Sequence, residues 1–291
     1  MESLRSIKFD RPFDTEAHGR QNSFKLIRNP QSEICNHFRS STPALQYSST
    51  EAQFRPSKHN IKPRIAGRQS VLNVPIIVSA LILLTGLLYF EKNVDRAGKL
   101  PTKTILSCLF IFTAVVQPHS IPGYYYLLLI GLIFCLGGDV FLALPQERMF
   151  LYGLVSFLLG HVLYVVCFFY VADVSYWTGI GCLAGLLVSG LVFWWLRPHL
   201  GSMLIPVIAY IVVITAMVVG AWTVLGDADL SRVGRLLVFS GAVSFYLSDL
   251  FVARDRFLKS EFANRLIGLP MYYCGQFLLA FSVGFLKLPN P

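Results

Sequence analysis

Two aspartates stand inside apolar runs: Asp139 in "FCLGGDVFLALP" (134–145) and Asp249 in "SFYLSDLFVA" (244–253). An aspartate at the centre of a bilayer costs roughly 2.5–3.5 kcal/mol on insertion scales, so it belongs in a bundle interior or a wet cavity. Two carboxyl groups in one dry site cannot easily both be ionised, and such a pair supplies an acid and a base together. That equipment suits acid-assisted cleavage of an acetal or enol ether through an oxocarbenium ion. Each aspartate also has polar companions. Ser248 precedes Asp249, His161 and Tyr164 sit one turn apart in "LLGHVLYV", and Tyr272, Tyr273 and Gln276 share a turn of "YYCGQFLL". Plainer roles stand beside these: an aspartate bonded to a hydroxyl for packing, a histidine packed among apolar neighbours, and tyrosines at the membrane interface.

Other chemistries lack their residues. One embedded histidine and two aspartates fall short of a catalytic zinc site, and there is no HExxH, GxSxG, P-loop or CxxC. No metal or cofactor is therefore expected. Ser244 or Ser248 with His161 is the only nucleophile set available, and nothing local marks an activated serine. "GIGCLAG" imitates a dinucleotide fingerprint but follows no strand, and reads as helix packing.

The elements that must position these residues are membrane helices. Of 291 residues 54% are hydrophobic and 14% charged, with mean hydropathy +0.57, too apolar for a soluble domain. A window of about 19 residues, the length that crosses roughly 30 Å of hydrocarbon, finds eight spans, near 71–90, 103–118, 123–144, 149–171, 177–196, 203–225, 233–253 and 267–286. The expected fold is an all-α polytopic bundle. "GDVFLA" at 138–143 recurs as "SDLFVA" at 248–253, and each copy precedes a span with glycine and a polar residue, His161 or Gln276. Spans 3 and 4 thus correspond to 7 and 8, which predicts a four-plus-four parallel repeat.

The remaining features bear on placement. Residues 1–70 carry 12 Lys/Arg against 6 Asp/Glu and have no periodic apolar face, so they read as a disordered basic tail preceding a membrane domain at 71–291. Lys58, Lys62, Arg64 and Arg68 would meet anionic lipid, with no nucleic-acid role expected. The six cysteines have no repeated spacing. Orientation is divided: loops after the odd spans hold ten Lys/Arg, which places the termini away from the cytosol, whereas the basic tail places them in it.

The motifs "GDVFLA", "GHVLY", "SDLFVARDRF" and "YYCGQFLLA", in this order on eight spans, resemble the YhhN-type transmembrane family, the lysoplasmalogenases. The resemblance covers about 71–286 and leaves the tail outside. It implies hydrolysis of the vinyl-ether bond of lysoplasmalogens to a fatty aldehyde and glycerophosphocholine or glycerophosphoethanolamine. On that basis Asp139 and Asp249 are acid and base in an open order, and His161, Tyr164, Tyr272, Tyr273, Gln276 and Ser248 position water and substrate. Lys103, Arg148 and Arg256 would contact the lipid phosphate. The partners would be a lysophospholipid and membrane lipids, in the endoplasmic reticulum or another internal membrane of a eukaryotic cell. The rivals are a transporter of small solutes or lipids and a hydrolase of another lysolipid.

Overall fold

The computed structural model describes residues 61–288, without the side chains of 61–71, Arg96 and Glu147. Among these residues the chain is entirely helical: α1 Ile61–Lys92, α2 Arg96–Val116, α3 Pro122–Ala143, α4 Glu147–Val171, α5 Tyr176–Leu196, α6 Leu204–Gly226, α7 Arg232–Ala253 and α8 Phe262–Phe285. Each contains a stretch long and apolar enough to cross a membrane, and the chain is a multi-pass membrane bundle. Most of the expected basic tail, with Lys58 and Cys35, lies outside the described residues, as do the side chains of Lys62, Arg64 and Arg68. The backbone of α1 reaches back beyond the expected boundary at residue 70.

Local chemistry sets the helix ends. Asp95 caps α2 by accepting from the backbone N–H groups of Ala97 (3.0 Å) and Gly98 (3.4 Å). The helix therefore starts seven residues before the hydropathy window opens, and Pro101 falls inside it. Pro122 occupies the first turn of α3, where its missing N–H costs nothing. Ser175 and Thr178 form a capping box on α5. Between α7 and α8 a π turn, Arg254–Leu258, is braced by Asp255, whose Oδ1 accepts from the Glu261 N–H (3.1 Å) and the Asn264 side chain (3.2 Å). This brace lets α8 begin five residues earlier than its apolar run suggests.

The most extensive packing joins α3 to α4 and α7 to α8, with α6 against α4, α5 and α7, and α2 against α1, α3 and α8. Both leading pairs close through glycine. A Cβ placed on Gly160 would sit 3.0 Å from the Gly131 carbonyl oxygen, and one on Gly275 would sit 2.8 Å from that of Gly241. At such crossings the backbones touch, so dispersion and polar contacts replace the hydrophobic drive that lipid does not supply. Behind them lies a core that includes Leu128, Leu132, Tyr164, Phe168, Phe245 and Leu279.

Candidate active site

Asp139 and Asp249 lie on one cavity of about 650 Å³. Each stands four residues before the end of its helix, about 6 Å at the helical rise of 1.5 Å per residue; Asp139 lies below the α3–α4 link, and Asp249 below the π turn that continues α7. Apolar side chains of α5 and α6, among them Val192, Leu196, Val207 and Ile211, wall one part of the cavity. Glu91, Lys99, Asp255, Arg256 and Arg265 lie around another part, at the loops between α1 and α2 and between α7 and α8. The cavity thus has a charged rim and an apolar wall, with the carboxyl groups set below the rim.

The two carboxyl groups have different partners. Asp139 is 1% exposed; its Oδ1 faces Lys103 Nζ at 3.2 Å, and its Oδ2 accepts from the hydroxyls of Ser107 (2.5 Å) and Tyr272 (2.6 Å). An ammonium and two hydroxyls thus converge on one buried carboxylate, the arrangement that offsets its desolvation. Asp249 is half-buried and accepts from the Tyr210 hydroxyl at 2.6 Å. Among the described residues no cation lies within ion-pair distance of it. Among the described residues no hydrogen bond joins the two aspartates; each is held by its own partners.

Behind Asp139 the hydrogen bonds run in one direction. The Tyr164 hydroxyl donates to Gln276 Oε1 (3.0 Å), Gln276 Nε2 donates to the Tyr272 hydroxyl (3.3 Å), and Tyr272 donates to Asp139. Each donor polarises the next, which strengthens the bond that ends on the carboxylate. Of the residues expected to position substrate, Tyr272 and Ser248 line the cavity, whereas Tyr164 and Gln276 stand behind it. The Ser248 hydroxyl donates to the Phe245 carbonyl of its own helix (2.7 Å), not to an aspartate. Tyr273 is buried, its hydroxyl 3.5 Å from the Lys103 carbonyl oxygen on α2.

His161 is fully buried with no partner for either ring nitrogen, and its ring sits edge-on to Phe245, Tyr210 and Tyr164 at centroid distances of 4.5, 5.3 and 6.2 Å. No serine reaches it, so the Ser–His pairing is not formed. The three cations expected to meet the lipid phosphate are placed differently. Lys103, anticipated as a phosphate contact, is buried against Asp139, because its position inside α2 points the ammonium inward. Arg148 is exposed and off the cavity, whereas Arg256 lines it with its guanidinium 4.5 Å over the Phe150 ring. Among the described residues no group of three His, Cys, Asp or Glu side chains converges to hold a metal ion.

Sequence reasoning missed Ser107 and Tyr210. Both are polar residues within apolar spans, a signal that went unused because a serine there reads as bonded to its own helix and a tyrosine as an interfacial ring.

A family model described as the YhhN family matches residues 98–283, which contain both aspartates and every partner named above. The chain belongs to the YhhN family. The bovine protein named lysoplasmalogenase TMEM86A is 31% identical over 162 residues, covering 53% of this chain and 63% of that protein. The rat protein named lysoplasmalogenase TMEM86B is 32% identical over 177 residues, covering 60% and 68%. A protein of Mycobacterium tuberculosis named lysoplasmalogenase is 28% identical over 173 residues, covering 57% and 62%. The match to the bovine and mycobacterial relatives thus spans less than two thirds of their length. No solved structure matches.

Proposed function

We propose that this YhhN protein is a membrane-embedded hydrolase that cleaves the vinyl-ether bond of lysoplasmalogens, releasing a fatty aldehyde and a glycerophospho-alcohol. The observation that carries the proposal is the pair of unlike carboxyl groups on one cavity, Asp139 with a cation and Asp249 with only a phenol donor. The relatives' names point to the same substrate class.

The difference in partners supports a division of roles. Of two carboxyl groups inside a membrane bundle, the one without a cation is the cheaper to keep neutral, so Asp249 is the proton donor. Asp139, whose charge Lys103 answers, is the base. Asp249 delivers its proton to the second carbon of the alkenyl chain, and the cation that forms on the first carbon is stabilised by the ether oxygen and by the Asp249 carboxylate just created. Water adds to the first carbon while Asp139 takes its proton, giving a hemiacetal. Asp139 then protonates the glycerol oxygen, Asp249 removes the hemiacetal hydroxyl proton, and the carbon–oxygen bond breaks to aldehyde and alcohol. Both carboxyl groups return to their starting forms, with one water consumed.

Tyr272 and Ser107 orient Asp139, Gln276 and Tyr164 hold Tyr272, and Tyr210 orients Asp249. His161 packs edge-on against Tyr164 and Tyr210 and so steadies a tyrosine on each aspartate's side. The matched glycine crossings support reading α3–α4 and α7–α8 as copies of one unit in a four-plus-four bundle. In a eukaryotic cell the protein would work in the endoplasmic reticulum or another internal membrane.

The experiment offers purified protein a 1-alkenyl and a 1-alkyl lysophospholipid of equal chain length. Aldehyde from the alkenyl lipid alone is the expected result. Uptake of either lipid into sealed vesicles with no aldehyde would instead make the protein a transporter.

A further inference from the structure

The rim of the cavity holds charges of both signs, but almost all are already engaged. Glu91, 5% exposed, faces Lys99 Nζ at 2.7 Å and Arg265 Nη1 at 3.5 Å. Asp255 braces the π turn and faces Arg265 Nε at 3.5 Å. Asp95 accepts from the first N–H groups of α2. Nearby, off the cavity, Arg254 and Lys259 pair with Glu261. Arg256 differs: among the described residues it has neither an ion pair nor a hydrogen bond, and its guanidinium is steadied only by the face of Phe150. Stacking on an aromatic ring fixes the plane of a guanidinium and leaves its N–H edges free for an anion.

The depth of the site matches this placement. The carboxyl groups sit about 6 Å below the helix ends, and Arg256 lies just past the end of α7, in the π turn. In a lysoplasmalogen the ether oxygen and the phosphorus are separated by about five single bonds of roughly 1.5 Å each, an extended reach of about 6 Å. A substrate whose vinyl ether lies between Asp139 and Asp249 therefore brings its phosphate to the rim.

We infer that Arg256, seated on Phe150, is the phosphate-binding residue of this site, and that the site reads the phosphate but not the headgroup nitrogen. Glu91 and Asp255 already face cations, so the one rim carboxylate without a cation is Asp95, which is occupied in capping α2. The substrate class is accordingly any 1-alkenyl glycerol bearing a phosphate at the third carbon, whether capped by choline, by ethanolamine or by nothing. This inference rests on the lysoplasmalogenase reading, and two measurements keep their failures apart.

The first measures binding of 1-alkyl glycerophosphocholine, which has no double bond to cleave, to the full-length protein in neutral detergent micelles. Arg256→Gln is expected to weaken binding about tenfold, the scale of a lost charge-assisted contact, with Arg256→Lys in between. Unchanged affinity in Arg256→Gln, at a melting temperature equal to wild type, overturns the assignment whatever the protein catalyses. The second compares aldehyde release from 1-alkenyl glycerophosphocholine, 1-alkenyl glycerophosphate and 1-alkenylglycerol. The two phosphate-bearing lipids are expected to share a KM within about threefold, with the phosphate-free lipid about tenfold higher or more. A strong preference for choline over the bare phosphate overturns the claim about nitrogen. Competition by inorganic phosphate at micromolar concentration would make the rim a free-anion site and overturn the lipid assignment. Absence of aldehyde from all three lipids, with the binding result intact, refutes the hydrolase reading and leaves Arg256 as a lysolipid-phosphate site.

Discussion

The α3–α4 and α7–α8 pairs are built by the same device and finished differently. In each, glycines let two helices touch, at Gly131 with Gly160 and at Gly241 with Gly275, and in each an aspartate lies four residues before the end of the first helix. Around that shared frame the polar partners diverge. Asp139 receives Lys103 and Ser107 from α2 and Tyr272 from α8, whereas Asp249 receives one hydroxyl, Tyr210, from α6. Two similarly crossed helix pairs thus present two identical side chains in unlike electrostatic surroundings, which is what acid–base division of labour needs.

Replacing either carboxyl group should have the largest effect. Asp249→Asn and Asp139→Asn are each expected to lower the rate of aldehyde release about a hundred- to ten-thousand-fold, the range of general acid and base contributions. Comparable losses in both show that each half is required; full activity in one would make its half a packing copy.

Lys103→Met acts on one half only. It strands a buried carboxylate, at a cost of about 3–5 kcal/mol, which thermal unfolding in detergent would register as a large drop in melting temperature. Adding Asp139→Asn to the same chain should recover much of that stability while leaving turnover low. If the double variant stays as unstable as Lys103→Met, the ion pair is not what holds α2 to α3.

The glycine crossings offer a smaller and symmetric test. Gly160→Ala and Gly275→Ala should each destabilise by about 1–3 kcal/mol, because the new methyl group meets a carbonyl oxygen. Equal shifts support one device used twice, and a neutral Gly275→Ala removes the equivalence. Tyr164→Phe, at the far end of the chain leading to Asp139, should cost about 0.5–1.5 kcal/mol, read as a modest loss of turnover.

The smallest effect belongs to the α7–α8 turn, which has no counterpart in the short α3–α4 link. The hydrogen bond from Lys259, aided by the charge of Arg254, holds the Glu261 carboxyl below its ordinary value of 4.5. Its stabilising contribution is therefore present above about pH 4.5 and fades as the pH falls through the lowered value. Glu261→Gln should flatten the acid side of a melting-temperature profile slightly and leave neutral stability almost unchanged.

What could be read from the chain follows the same physics. Eight spans were legible because hydrocarbon admits only long apolar helices, and Asp139 and Asp249 stood out because burying a carboxyl group is expensive. Lys103 was read as a phosphate contact because a lysine at the edge of a hydropathy window looks interfacial; its pairing with Asp139 was not legible, since the cap at Asp95 that draws it into α2 lies outside that window. Tyr210 and Ser107 gave only the weak signal of a hydroxyl in an apolar span. Their importance comes from the packing of α6 on α7 and of α2 on α3, which no local pattern encodes.

The most direct test of the account is hydrolysis of a 1-alkenyl lysophospholipid in deuterated water by wild type, Asp139→Asn and Asp249→Asn, with the aldehyde trapped and weighed as it forms. Expected are aldehyde from wild type carrying solvent deuterium on its second carbon and little from either variant, with the Asp249→Asn chain keeping the wild-type melting temperature and the Asp139→Asn chain still folded but less stable, because Lys103 is left unpaired. Aldehyde without that label, or wild-type rates from both variants, would contradict it.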